Sequence, residues 1–442
     1  MKDNHILYWL WLADACGIAC KPFVRLMERY DDPFDIYRLE EEEIEQMDGL
    51  GAVLKERLCR KSLERSYAIL RDCKAQGIDI ISYGDSRYPD RLRRIEDPPV
   101  LLYCKGTMPD MNSHLCIGMV GTRSISEYGK QTAYKISYEL AASRAVVVSG
   151  MAKGVDGVCA AGALAAGGKT VAVLGCGIRV VYPKEHKRLM EAIAASGAVL
   201  TEYPPDEPPN NYHFPKRNRI ISGLCQGVLV VEGDMKSGAL ITAKKALAQG
   251  REVFALPGKI DEKNSEGPNE LIQNGAYPVL SSLDITEHYD FLYHDVIRHR
   301  SLAAMAKQMP LCEETIERFG VCIMGRESGS KRTWTQESSA VKPSLKTPVS
   351  VPISEKPNAS AVTEDRSSAA ESASAVDGSA HALASVDDFA AQIFAQMPLN
   401  RAVTPDALDG GGRSVAEVMT ALTMLELNGL VTSLPGGMYL RS

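Results

Sequence analysis

At 442 residues the chain is long enough for two or three domains at roughly 150 residues each, which excludes a peptide hormone or a disulfide-stapled mini-protein. Apolar residues at 45% and charged residues at 24% are ordinary for soluble globular chains and exclude collagen, coiled-coil and wholly disordered classes. A net charge of −6 argues against histone-like binding of nucleic acid, yet residues 109–285 carry 19 basic against 17 acidic groups, so the placement of those cations matters more than the total.

Residues 5–75 show apolar positions at three- and four-residue spacing, with turn signals at Asp31-Asp32-Pro33 and Gly49-Leu50-Gly51, and predict a small helical domain over residues 1–80. The apolar run 6–13 after Lys2 is interrupted by Asp14, so a buried first helix is expected rather than a signal peptide. Met47-Asp48-Gly49-Leu50-Gly51, followed by Lys55, Arg57, Arg60 and Lys61, has the outline of a helix-hairpin-helix. Two readings stay open there, contact with DNA or a plain helical turn with a solvated basic face. The eleven cysteines include no CxxC pair and no zinc-site spacing, and Cys16 and Cys20 lie one helical turn apart. A reduced cytosolic compartment and no bound metal are expected. No run reaches the roughly 18 apolar residues that a bilayer span requires, so membrane insertion is not expected.

From 115 to 280 the pattern changes to short Val/Ile/Leu-rich runs at 115–120, 145–148, 170–174, 198–200, 227–231 and 252–256, with helical stretches between them. This alternation predicts an α/β fold, a Rossmann-like doubly wound parallel sheet over residues 81–285, whose ligands bind beyond the carboxyl ends of the strands. Residues 286–330 read as a helical appendage. Residues 331–384 are about half Ser, Ala and Pro and are expected as a flexible linker. Apolar periodicity returns in 385–442 as three helices and a hairpin around Pro435-Gly436-Gly437, the outline of a winged-helix domain.

The strand ends carry the chemistry. Gly121-Thr122-Arg123-Ser124 before a helix is a phosphate-cradling arrangement, with backbone amides and a guanidinium available to an anion. It is not GxGxxG, and Ser149-Gly150 stands where a dinucleotide-binding sheet places an acidic residue, so NAD is disfavoured and no cofactor is expected. The next strand end, Ser149-Gly150-Met151-Ala152-Lys153-Gly154-Val155-Asp156, adds small residues and Lys153. Gly175-Cys176-Gly177 follows, and then Tyr182-Pro183-Lys184. The segment from Tyr212 to Gly223 puts Lys216, Arg217 and Arg219 beside Tyr212, His213 and Phe214. Cations interleaved with aromatics suit single-stranded nucleic acid, phosphates pairing with the former and unstacked bases resting on the latter. Glu232-Gly233-Asp234-Met235-Lys236-Ser237-Gly238 repeats the strand, glycine, helix-start design, and Lys244 and Lys245 lie on the helix that follows.

In their order, the strings GTR, SGMAKGVD, FPKRNRIISGL, SGALITA, ALPG and GPNELIQNGA over residues 80–285 resemble the DNA-processing protein A family, DprA or Smf. The resemblance implies a cytoplasmic bacterial protein that binds single-stranded DNA without strong sequence preference and protects it. It further implies loading of a RecA-type recombinase in natural transformation, with no catalysis. It also implies a SAM-like N-terminal domain, a homodimer made by the Rossmann-like domain, and phosphate contacts at Gly121, Thr122, Arg123, Ser149, Gly150, Lys184, Lys216, Arg217 and Arg219, with Lys153, Lys244 and Lys245 as further candidates. The long linker, the 286–330 segment and an acidic last domain depart from the family layout, and the last domain is read as a protein-interaction module. An enzymatic alternative has Glu232 acting as base in hydrolysis of the N-glycosidic bond of a nucleoside monophosphate, although the loop lacks the glycine-glycine-x-glycine-threonine pattern such hydrolases carry. A third reading is a nucleotide sensor that signals through the winged helix.

Overall fold

The six apolar runs form the parallel centre of a nine-stranded sheet. The computed structural model describes residues 2–324 and, beyond them, 388–397, 403, 405, 408, 415–427, 430–434 and 438–441. The expected linker at 331–384 and the Pro435-Gly436-Gly437 turn lie outside these residues. The strands are β1 (Asp79–Ser82), β2 (Leu101–Gly106), β3 (Cys116–Val120), β4 (Val146–Ser149), β5 (Thr170–Val173), β6 (Ala198–Thr201), β7 (Gly227–Val230), β8 (Glu252–Ala255) and β9 (Tyr277–Pro278), in the order β1-β2-β6-β5-β4-β3-β7-β8-β9. Pairing is parallel from β6 through β9, and β2 joins the edge antiparallel to both β1 and β6.

The chain steps outward from β3 through β4, β5 and β6, then returns to the other side of β3 for β7, β8 and β9. That reversal leaves a crevice at the carboxyl ends of the strands flanking β3, the usual ligand position in doubly wound sheets. Alternate residues enter opposite faces. Ile117, Met119 and Val147 pack with helices Glu127–Ala142 and Val155–Ala165, while Cys116, Val120, Val146 and Val148 pack with Ile220, Leu224 and Ala243 of helices His213–Leu224 and Gly238–Ala248.

The N-terminal helices bury Trp9, Trp11, Leu12, Phe23, Ile36 and Leu58 in the core that also holds one face of the sheet. Lys55 Nζ donates to the Glu45 carbonyl, Arg60 forms an exposed pair with Glu56, and Lys61 lies 5.1 Å from the Trp11 ring centroid. Residues 286–324 pack back on the sheet domain. Lys130 pairs with Glu313 at 2.8 Å, and the Tyr134 hydroxyl lies 2.9 Å from Thr315 Oγ1.

The described residues fall into two compact units, one on either side of residue 335. In the second, helices Asp388–Gln396 and Val415–Leu427 and the antiparallel pair Val431–Leu434 and Met438–Arg441 enclose Ile393, Phe394, Leu422, Leu425 and Tyr439. No described helix is long and apolar enough to cross a membrane.

Arg219 joins three parts of the first unit. It is 1% exposed, with Nη2 2.6 Å from the Glu202 carboxylate at the end of β6 and Nε 3.2 Å from Asp97. Its expected phosphate role is therefore corrected to a buried structural ion pair, because no anion in solvent reaches it. Arg219→Ala strands two enclosed carboxylates and should cost about 3–5 kcal/mol of unfolding free energy, measured by chemical denaturation. An unchanged midpoint would contradict this assignment.

Candidate nucleic-acid interface

At the switch point lies a cavity of about 410 Å³ bounded by the exits of β3, β4 and β7 and by the start of helix His213–Leu224. The exit loops are fastened to one another by backbone. Thr122 N–H donates to the Glu232 carbonyl at 2.7 Å, and the Thr122 carbonyl accepts from Val155 N–H at 3.2 Å. Gly154 is required at its position, since φ is +74° and a Cβ would sit 2.4 Å from the Thr122 carbonyl oxygen. Across the cavity, Ser237 caps helix Gly238–Ala248 by accepting from Ala239 N–H, which aims the positive end of an eleven-residue helix at the same space.

Arg217 supplies the enclosed cation. A Cβ at Gly150 would lie 1.9 Å from its Nη1, so glycine is what makes room for the guanidinium. Nη1 donates to the Val173 carbonyl at the end of β5, whereas Nε has no hydrogen-bond partner. Burial pulls the Arg217 pKa down, and the neighbouring Asp156 carboxylate opposes that pull. Asp156 is itself pushed upward, chiefly by burial, while Arg217 and the Ala152 and Gly150 amides act in the other direction. Those amides donate to Asp156 Oδ2 at 3.3 and 3.2 Å, folding the β4 exit back over the cavity.

A second cavity of about 230 Å³ adjoins the first through Arg123, Ala152 and Phe214, and is completed by Lys153, Gly175, Tyr182 and Met324 among others. The Arg123 guanidinium carbon lies 5.6 Å from the Phe214 ring centroid, and Arg123 makes no ion pair among the described residues. Tyr182 and Phe214 present tilted rings 5.5 Å apart. Lys153 is held by Glu185 at 2.8 Å.

Met324, at the end of the segment 321–324, lines this cavity. Gly154 N–H donates to the Cys322 carbonyl at 3.0 Å, and Met324 N–H donates to the Arg123 carbonyl at 3.4 Å. His186 clasps the segment: its Nδ1–H donates to the Met151 carbonyl at 3.0 Å, and Nε2 accepts from Cys322 N–H at 2.8 Å.

The structure thus gathers Gly121, Thr122, Arg123, Phe214 and Arg217 around the larger cavity and Gly150 and Lys153 around the smaller one. Lys184 and Lys216 are exposed and adjoin the lining residues Pro183 and Pro215 in sequence. Others fall away. The Ser149 hydroxyl turns into the sheet and donates to the Met119 carbonyl at 2.7 Å. His213 stacks on Tyr203 at 4.2 Å rather than offering a face to a base. Tyr212 is 79% exposed and outside both linings, as are Lys244 and Lys245, which follow Ile241 and Thr242 on the helix. Glu232 does not line the cavity. Its carboxylate accepts from the Ser126 N–H at 2.9 Å, from the Ser126 hydroxyl and from Asn264, beneath the helix start at Glu127, so it is not placed to serve as the proposed base.

Sequence reasoning passed over Asp156, Asn218 and His186 as site residues. Asp156 lay in plain view at the end of SGMAKGVD, while nothing local marks His186, whose partner Cys322 is 136 residues away.

A family model described as DNA recombination-mediator protein A matches residues 79–290, and one described as the DprA winged helix domain matches 378–437. DNA processing protein DprA of Bacillus subtilis is 44% identical over 219 residues, covering 50% of this chain and 74% of the relative. Its counterpart in Streptococcus pneumoniae is 43% identical over 226 residues, covering 51% and 74%. The crystal structure of DNA processing protein A from S. pneumoniae superposes with a TM-score of 0.56 at 38% identity, covering 64% of this chain and 97% of that one.

The His186 clasp requires the neutral ring, since a proton on Nε2 would face the Cys322 N–H. Burial holds the His186 pKa below its ordinary 6.5, so the clasp contributes fully above that value and is lost as pH falls beneath it. Hydrogen exchange of the Cys322 amide, corrected for its intrinsic rate, should lose protection selectively on acidification. Equal protection at both ends of the range would overturn the clasp.

Proposed function

The chain belongs to the DNA recombination-mediator protein A family, DprA or Smf, and on that premise we propose that it binds single-stranded DNA in the two adjoining strand-end cavities. The observation that carries this reading is Arg123, free of any ion pair among the described residues, lying over Phe214 where the two cavities meet. Phosphates bind Arg123 and Arg217, with the amides at the start of helix Gly238–Ala248 and the flanking Lys216 and Lys184 adding attraction. Bases stack on Phe214 and Tyr182, a contact worth about 1–3 kcal/mol each that tolerates any base. A space of about 410 Å³ is large enough to accept a nucleotide of an open strand.

Weak sequence preference follows from stacking and phosphate contact, neither of which reads base edges. Protection of the strand, its delivery to a RecA-type recombinase, a homodimer and a cytoplasmic setting complete the reading and rest on the family. The acidic balance of the last 58 residues, 3 basic against 6, supports a protein-binding role for the winged helix.

Fluorescence anisotropy with labelled oligonucleotides tests this reading. Log K should fall with log salt at about −0.7 per neutralised phosphate, and Arg123→Ala should make the slope shallower by about that amount. Phe214→Ala should weaken binding by about 1–3 kcal/mol on any sequence. Deleting residues 331–442 should leave this affinity largely intact. A salt-independent affinity would contradict the proposal.

A further inference from the structure

We propose that Asp290, His294 and His299 form a binding site for a divalent transition-metal ion of the Zn²⁺ class, independent of the DNA cavities. Asp290 opens the short helix Asp290–Tyr293, His294 follows it directly, and His299 returns from the next loop. His294 Nδ1 is 3.4 Å and His299 Nε2 2.9 Å from the same carboxylate oxygen, Asp290 Oδ1. The three ligand atoms lie within 4.8 Å of one another. A tetrahedral ion with bonds of about 2.0–2.2 Å sets its ligands about 3.3–3.6 Å apart. Two of the three edges are already at or inside that spacing, and small side-chain rotations adjust all three.

The donor set selects the ion. Two imidazoles and one carboxylate suit Zn²⁺, Co²⁺ or Ni²⁺ better than Ca²⁺ or Mg²⁺, which prefer all-oxygen cages. The carboxylate offsets one positive charge, and both histidines are exposed, leaving a coordination position open to water.

The backbone bearing these ligands is anchored at both ends. Tyr289 packs against Phe254, with ring centroids 6.1 Å apart, while Ile297 is 5% exposed and Arg298 N–H donates to the Ser143 carbonyl at 3.0 Å. A loop held in this way gives up little further conformational freedom on binding. Metal would clip the connection between the sheet edge at β9 and helix Leu302–Gln308, upstream of Met324, which lines the smaller cavity.

The test is Co²⁺ titration of the full reduced chain, followed by absorption. One equivalent should produce the visible bands of a four- or five-coordinate ion without a sulfur-to-metal charge-transfer band, and Zn²⁺ should displace it. His294→Ala/His299→Ala should weaken binding at least tenfold, and Asp290→Asn should weaken it while keeping the side chain's shape. Zn²⁺ should also slow tryptic cleavage after the exposed Arg298 and Arg300 in the wild type and not in the double variant. Absent saturation, thiolate bands, or an unchanged titration in the double variant would show that the three side chains are only hydrogen-bonded to one another. Because none of them lines the DNA cavities, failure here leaves the nucleic-acid reading standing, and loss of DNA binding alone leaves the metal site standing.

Discussion

Arg217 brings a guanidinium to the carboxyl edge of the sheet at the one place where Gly150 leaves room for it, between the Val173 carbonyl and the Asp156 carboxylate. Enclosing a charge is costly, and here the Val173 carbonyl accepts one hydrogen bond and the Asp156 carboxylate supplies an opposing charge nearby, while Nε stays without a partner. Asp156 lies at the start of helix Val155–Ala165 and accepts from the amides of Gly150 and Ala152, so the partner that balances Arg217 also shapes the β4 exit. Gly154 brings that loop against Thr122, and Thr122 is tied to the end of β7. The cavity is the space left when these requirements are met together.

Its cations divide by burial into two kinds. Arg217 and Arg219 come from the same helix and are both enclosed, yet only Arg217 borders the cavity, whereas Arg219 is spent on Glu202 and Asp97. Arg123, Lys184 and Lys216 remain in contact with solvent and give the attraction that salt screens. In the proposed function the enclosed charge sets where a phosphate sits, and the outer charges set how readily it arrives.

The parallel centre of the sheet was legible because continuous apolar runs ending in glycine are what doubly buried strands require. The edges were not. β1 and β9 are margin strands of four and two residues, partly exposed and without that signature, as Tyr277-Pro278 shows, whereas β2 carries a buried apolar run, Leu101 to Cys104, that stands outside the regular alternation of strand and helix and pairs antiparallel. Within FPKRNRIISGL the sequence displays three cations in four residues and cannot say which face of the helix each takes, so Arg219 and Lys216 looked alike. His213 was indistinguishable from Phe214 until Tyr203 claimed its ring. The segment 321–324 reads as featureless because its importance lies in backbone groups presented to His186 and Gly154, contacts that span more than a hundred residues.

In the proposed function, the placement of Arg217, and not merely its charge, makes the single-strand site. Gly150→Ala tests this most directly, since the added methyl group displaces the guanidinium while every charge is kept and Gly150 lies outside the left-handed backbone region. Anisotropy with single- and double-stranded oligonucleotides of equal length should show the single-strand affinity of this variant reduced at least tenfold and the preference over duplex largely gone. An unchanged affinity and preference in a folded Gly150→Ala protein would contradict the claim and move the binding site elsewhere.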